Sequence, residues 1–208
     1  AYISYKSTEQ GEEPYEINST WWSAINRRGT GEELALRIKR YVASRCMALV
    51  IKGVPGAYTH GVLALSNNPE LVEATGVKRD INRGVIDPDL YTRELEDPTS
   101  KRSLLQEAFQ GMGLIRTRKR AFHPQGGQKV LELSPSVFSV LRISPDEDQY
   151  ILSLINVSDG KVRLEVPLAE LETPALVWRD LVGGGDYRVT NDRLSVELEP
   201  YDVVWLSP

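Results

Sequence analysis

The sequence predicts a mixed α/β segment followed by an all-β antiparallel domain. Three observations carry this. Two stretches in the first 127 residues repeat apolar side chains at three- and four-residue steps, the mark of amphipathic helices. From residue 128 the texture changes to short β-branched runs, separated by turn signals about every ten residues. The charge also divides there: residues 1–127 carry 18 basic and 15 acidic side chains, and residues 128–208 carry 7 and 14.

The chain has 208 residues, enough for one or two domains with a sizeable core. Its opening, "AYISYKSTEQ", has neither the basic nor the apolar region of a signal peptide. "PYEINSTWW" (residues 14–22) follows, a tyrosine, a carboxylate and an asparagine leading into Trp21 and Trp22, which read as packing residues rather than a sugar-stacking platform. "GEELALRIKRYVASRCMALVI" then places Leu34, Ile38, Tyr41, Val42, Arg45 and Leu49 on one face of a helix. Thr30 is its candidate cap, with Glu33 three residues on.

"KGVPG" ends that helix, and "AYTHGVLAL" reads as a short buried strand or its exit loop. Residues 66–99 are polar, charged and weakly periodic, and such long connections are functional or disordered. "SKRSLLQEAFQGMGLIRTRKR" is a second helix, capped by Ser100, with Leu104, Leu105, Ala108, Phe109, Met112 and Ile115 on its apolar face. The domain boundary is placed at residues 126 and 127. Beyond it, "KVLELS", "VFSVLRIS", "YILSLINVS", "VRLEVPL", "ALVWRDLV", "YRVT", "RLSVELE" and "DVVWLS" are the expected strands of a sandwich or Greek-key domain.

Several function classes fall away. An acidic C-terminal half argues against nucleic-acid binding, which wants a basic face. "RTRKR" (residues 116–120) closes a helical pattern, where cations complement the helix dipole. No run of about 18 apolar residues predicts a membrane span. The single cysteine, Cys46, excludes an internal disulfide framework, fits a reducing, cytoplasmic setting and reads as a buried inert thiol. In that setting the sequons at Asn18 and Asn156 carry no meaning. No Cys/His spacing suggests zinc, and "VGGGD" joins two strands rather than cradling a nucleotide. His123 reads as a turn residue before Pro124.

The first half holds too few elements to close a layered fold and looks like the last βα units of something larger. "PYEINSTWWSAIN", "KGVPGAYTHGVLAL" and "GVKRDINR", in that order and spacing, resemble the sucrose-phosphorylase branch of the α-amylase superfamily of glycoside hydrolases. The resemblance implies the C-terminal part of a (β/α)8 TIM barrel followed by a small antiparallel Greek-key β-domain. Residues 1–127 would then hold the loop after barrel strand 7, strand 8 and the last helices. Residues 128–208 would be the β-domain. A TIM barrel takes about 250 residues, so the remainder of the barrel is expected in the same polypeptide or in a separate chain.

The resemblance also implies site residues. Tyr15 and Glu16 fall in a mobile loop on the acceptor side, where the family has a glutamine at the second position. Glu16 is a departure that bears on which acceptor is used. Arg79 matches an arginine that hydrogen-bonds the donor glucosyl unit, with Asp80 and Arg83 as supporting ion-pair partners. His60 is a candidate substrate contact, although a lone histidine at a strand end is more often a structural residue than a catalyst. The nucleophile, the acid/base and a third aspartate are expected upstream of Ala1, so this chain holds no catalytic residue and is expected to be inactive alone.

The implied activity is retaining phosphorolysis. Two carboxyl groups about 5 Å apart form and then discharge a β-glucosyl ester, and phosphate receives the glucose as α-glucose 1-phosphate. No cofactor and no metal is expected; inorganic phosphate is the co-substrate. The expected donor is sucrose or a related α-glucoside: sucrose 6-phosphate, glucosylglycerol or glucosylglycerate. Two other readings stay open: an α-amylase-type hydrolase of sucrose or short α-glucans, and a non-catalytic module binding carbohydrate or another subunit.

Overall fold

The computed structural model describes all 208 residues. It divides into two compact units, Ala1–Glu32 with Ala57–Glu107, and Glu33–Gly56 with Ala108–Pro208. The units therefore do not divide at residues 126 and 127. β-structure does begin there, at Gly127, but helix α2 (Leu34–Val50) lies against strands of the β-domain and joins its unit.

The first unit opens on an antiparallel hairpin, β1 (Tyr2–Thr8) and β2 (Gly11–Asn18). The segment expected as a mobile loop is thus a two-stranded ribbon from its first residues. Thr8 Oγ1 donates to the Gly11 carbonyl at 2.9 Å across the turn, and Gly11 takes the φ of 119° that glycine permits. Ser4 pairs with Glu16, but Tyr5 pairs with Pro14, so Tyr15 is the extra residue of a β-bulge.

Helix α1 (Trp21–Ile25) follows, capped by Thr20, whose Oγ1 accepts from Ser23 N at 3.2 Å. Asn67 ties this junction together. Its Oδ1 accepts from Thr20 N at 2.6 Å, and its own backbone N–H donates to Ser23 Oγ at 2.9 Å. Trp22 is buried, with the Lys101 ammonium 4.6 Å from its ring centre, whereas Trp21 is half-exposed.

"AYTHGVLAL" contains no strand. It holds one helical turn, α3 (Thr59–Val62). A parallel barrel strand needs ladder partners on both sides, and no strand of this chain other than β1 and β2 lies in the unit. Residues 66–99 are not a structureless connection either. They hold α4 (Pro69–Thr75), a 3₁₀ turn (Lys78–Asn82) and α5 (Pro88–Glu96). Asn68 and Asp87 cap α4 and α5, each with proline at the first helical position. Helix α6 (Lys101–Arg118) starts as expected: Ser103 N donates to Ser100 Oγ at 3.0 Å.

In the second unit α2 begins later than expected. Glu33 rather than Thr30 is the residue before its first turn, and it makes no side-chain cap. Ile38, Tyr41, Val42, Cys46 and Val50 are buried, so the apolar face runs along these residues and bypasses Arg45 and Leu49. All eight expected strands form: β3 (Gly127–Ser134), β4 (Val137–Ile143), β5 (Tyr150–Asn156), β6 (Val162–Pro167), β7 (Val177–Asp180), β8 (Asp186–Thr190), β9 (Arg193–Leu198) and β10 (Val203–Ser207). They make one antiparallel sheet in the order β3-β4-β5-β10-β7-β8-β9-β6. The meander β7-β8-β9, with β6 returning beside β9, is the Greek key. The edge strands β3 and β6 approach one another, so the sheet nearly closes on itself.

Alternation drives this closure: along β9, Leu194, Val196 and Leu198 point inward while Arg193, Ser195 and Glu197 face solvent. Trp178, Leu152, Leu164 and Leu206 fill the same core. No helix of the chain is long and apolar enough to cross a membrane.

Candidate functional site

The expected site residues Tyr15, Glu16 and Arg79 come together in the first unit. The 3₁₀ turn is fixed from behind: Ile81 is buried, and its carbonyl accepts from Asn68 N at 2.8 Å. Asp80 and Arg83 pair with each other at the turn at 3.1 Å. This leaves Arg79 projecting toward the hairpin, where its Nε donates to Glu16 Oε2 at 3.0 Å.

The hydrogen bond and the charge of Glu16 hold the Arg79 guanidinium above its ordinary pKa, with a smaller contribution from nearby Tyr15. The bulge explains how neighbouring residues can both serve one guanidinium. A regular strand would send Tyr15 and Glu16 to opposite faces, and an inserted residue re-aims one of them. The arrangement presents several groups at once. With Nε engaged, the planar end of Arg79 offers paired N–H donors, and its side chain is 53% exposed. Glu16 retains a second carboxylate oxygen as acceptor, and the Tyr15 ring is exposed beside it. Donors in a fixed fork next to an acceptor suit a polyhydroxylated ligand.

His60 does not join this cluster through any recorded contact. Its Nδ1 lies 2.8 Å from the Tyr58 hydroxyl, with the two rings edge to face at 5.1 Å. Sequence reasoning also passed over Lys78, whose Nζ donates to the Ile3 carbonyl at 2.9 Å and lies 5.6 Å from the centre of the Tyr5 ring. No sequence signal marks that contact, because it depends on the hairpin register.

Elsewhere the charged and aromatic residues are occupied structurally. In "RTRKR", Arg116 donates to the carbonyls of Gly53 at 2.9 Å and Phe122 at 3.3 Å, and burial lowers its pKa. Arg120 pairs with Asp146 and Asp148. The tryptophans of the β-domain, Trp178 and Trp205, are fully buried and offer no platform to a sugar. A shallow hollow of about 480 Å³, lined by Leu168, Ala169, Glu172, Thr173 and Asp192, holds none of the expected site residues. No group of three His, Cys, Asp or Glu side chains is placed to hold a metal ion.

The fold is that of the C-terminal portion of α-amylase-family enzymes. The chain superposes with a TM-score of 0.65 on the alpha-amylase of Geobacillus thermoleovorans complexed with acarbose, at 14% identity, covering 91% of this chain and 36% of that one. It matches AmyP in complex with maltose at a TM-score of 0.64 and 12% identity, over 88% of this chain and 37% of that one. Sequence narrows the class. Over 99% of its length the chain is 40% identical to the glucosylglycerate phosphorylase of Spirochaeta thermophila, and it covers 36% of that protein. It is 27% identical to the sucrose phosphorylase of Streptococcus mutans, over 72% of this chain and 28% of that protein. No family model matches it. The chain is homologous to glucosylglycerate and sucrose phosphorylases. It spans about a third of the length of the curated relatives it matches.

Proposed function

We propose that this chain is the C-terminal part of a retaining α-glucoside phosphorylase that transfers glucose from glucosylglycerate, or a close relative of it, to inorganic phosphate. The observation that carries this reading is the 40% identity to a glucosylglycerate phosphorylase along essentially the whole chain, including the hairpin and the 3₁₀ turn. The convergence of Tyr15, Glu16 and Arg79 supports it, because a donor fork beside a carboxylate suits hydroxyl-bearing substrates.

In this reading the reacting carboxyl groups lie outside the 208 residues. A carboxylate attacks the anomeric carbon while a carboxylic acid gives its proton to the departing glycosidic oxygen. A phosphate oxygen then displaces the ester, and its proton returns to the acid/base. Arg79 holds hydroxyls of the glucosyl unit, and Tyr15 and Glu16 face the leaving group and the acceptor that replaces it. Sitting at the C-terminal mouth of the barrel, where active sites of that fold lie, they also keep water from the ester. The isolated chain is inactive, and its partner is the remainder of the barrel.

The test is product analysis. The complete polypeptide carrying this chain is supplied with glucosylglycerate, and in parallel with sucrose, with and without phosphate. The expected result is phosphate-dependent α-glucose 1-phosphate, formed faster from glucosylglycerate. Free glucose released at the same rate without phosphate would make the protein a hydrolase and overturn the reading.

A further inference from the structure

Residues 78 and 79 grip the two strands of the hairpin at one level. Arg79 takes β2 through Glu16, which pairs with Ser4. Lys78 takes β1 on either side of that same Ser4, through the Ile3 carbonyl at 2.9 Å and the Tyr5 ring at 5.6 Å. Ser4 and Tyr5 are the two residues between which the register shifts, so the Lys78 contacts bracket the bulge that frees Tyr15.

A two-stranded ribbon is marginally stable by itself, and a bulge leaves part of its ladder unmade. At this level, therefore, the ribbon depends on contacts from outside. A hydrogen bond from an ammonium to a carbonyl is charge-assisted, and the same ammonium gains from the face of the Tyr5 ring.

We infer that Lys78 is a positioning residue for the acceptor side of the site: it fixes β1 opposite the bulge, and so sets where Tyr15 and Glu16 point. The inference rests on the proposed phosphorylase reading for its kinetic consequence, and on geometry alone for its structural one. Lys78 touches no reacting atom. Its effect passes through the hairpin to the acceptor and leaves the donor glucosyl contact of Arg79 in place.

The experiment compares Lys78→Met, which keeps the chain length and loses the donor, with Lys78→Arg, which keeps the donor. Lys6→Met serves as control, since Lys6 meets only Glu13 near the hairpin tip, at 4.0 Å. All are made in the complete polypeptide. Hydrogen exchange of peptides covering residues 1–18 is read together with the KM for phosphate and the rate of glucosyl-ester formation.

Lys78→Met is expected to speed exchange in residues 3–5 and 14–17 by roughly tenfold, the loss of one charge-assisted bond. It is expected to shift the KM for phosphate several-fold with ester formation nearly unchanged. Lys78→Arg is expected to restore both, and Lys6→Met to change neither. In a Glu16→Gln background the kinetic effect of Lys78→Met should shrink, because the residue it positions is already altered; a merely structural role would leave it additive. Unchanged exchange in Lys78→Met overturns the inference, as does faster exchange with an unaltered KM. A parent enzyme that makes no glucose 1-phosphate defeats the phosphorylase reading instead, and the exchange arm then decides the role of Lys78.

Discussion

Arg79 Nε donates to Glu16 Oε2 at 3.0 Å across 63 residues of sequence. The pair joins a 3₁₀ turn to a bulged hairpin, two elements too small to hold a fixed geometry separately. Its worth is positional. Arg79 is more than half exposed, and exposed ion pairs contribute little to stability because water and salt screen them.

Arg79→Ala should therefore disable without unfolding. In the complete polypeptide it removes the donor fork and leaves Glu16 unpaired at the site. A loss of roughly 30- to 1000-fold in kcat/KM is expected, the range typical of removing one preorganised charge-assisted contact. If Arg79 holds the donor glucose as proposed, the loss should be the same for every acceptor, because that donor is common to all. Steady-state kinetics with two or more acceptors checks this, and a kcat/KM within a few-fold of the parent would mean that Arg79 only braces the hairpin.

Glu16→Gln should act differently. The amide keeps the side-chain shape and one oxygen acceptor for Arg79, but drops the charge that, in the proposed reading, faces the acceptor. Formation of the glucosyl ester should stay within roughly threefold. The ratio of kcat/KM values between an anionic and a neutral acceptor should rise by about tenfold, since a carboxylate repels an anion near it. Competition between phosphate and glycerol for the ester, read as product ratios, checks the direction.

The fold was legible where one period dominates the sequence. Short β-branched runs between turn signals, several of them alternating as in "RLSVELE", announced all eight strands of the β-domain, and helices α2 and α6 showed their apolar steps. It was illegible where burial is shallow. The hairpin exposes most of both strands, so no inward-facing row marks it. Helices α4 and α5 are mostly polar, and only the "NP" and "DP" cap signals betray them. "AYTHGVLAL" is apolar enough for a strand, yet strand formation needs partners that composition does not report. The site followed a similar division. Tyr15, Glu16 and Arg79 were named through a family resemblance and not through spacing. The bulge that brings the first two to one guanidinium, and the clamp by Lys78, are products of register.

Cys46 supplies a pH test in the second unit. It is fully buried, and desolvation pushes its thiol from an ordinary 9.0 up to about 12. Between those values the folded chain keeps a proton that the unfolded chain has released. The contribution is therefore intact below about pH 9 and is lost as pH rises toward 12, at about 1.4 kcal/mol per pH unit. Cys46→Ala removes this slope, so the stability gap between parent and variant should narrow steadily above pH 9 in urea titrations. The native thiol should also resist a thiol reagent at pH 8, because the thiolate is the reactive form. Labelling of the folded protein as fast as of the unfolded one would contradict the burial.

Arg142 carries the last test, because it is a cation fully buried with carbonyls as its recorded partners. Its Nε donates to Gly127 O at 3.1 Å, one terminal nitrogen to Val50 O at 3.0 Å and the other to His123 O at 2.9 Å. Those carbonyls belong to the end of α2, to the turn before β3 and to the first residue of β3, so one fork joins three segments. Burial, with the nearby Arg116 charge adding to it, lowers its pKa to about 10, still charged at neutral pH. Arg142→Met fills much of the volume but leaves the three carbonyls without this donor. Charge-assisted bonds to buried acceptors set the expected loss at about 3 kcal/mol. Arg142→Lys keeps the charge but cannot span the three acceptors with a planar fork, so it should lie between parent and Met. Gly126→Ala tests the same corner from the backbone side, because a Cβ there would collide with the Ile143 carbonyl; overpacking of this kind costs about 1–3 kcal/mol. The measurement is the urea midpoint of the β-domain transition. If Arg142→Met matched the parent within about 0.5 kcal/mol, the range of an ordinary surface change, the fork would not be what joins α2 to the sheet.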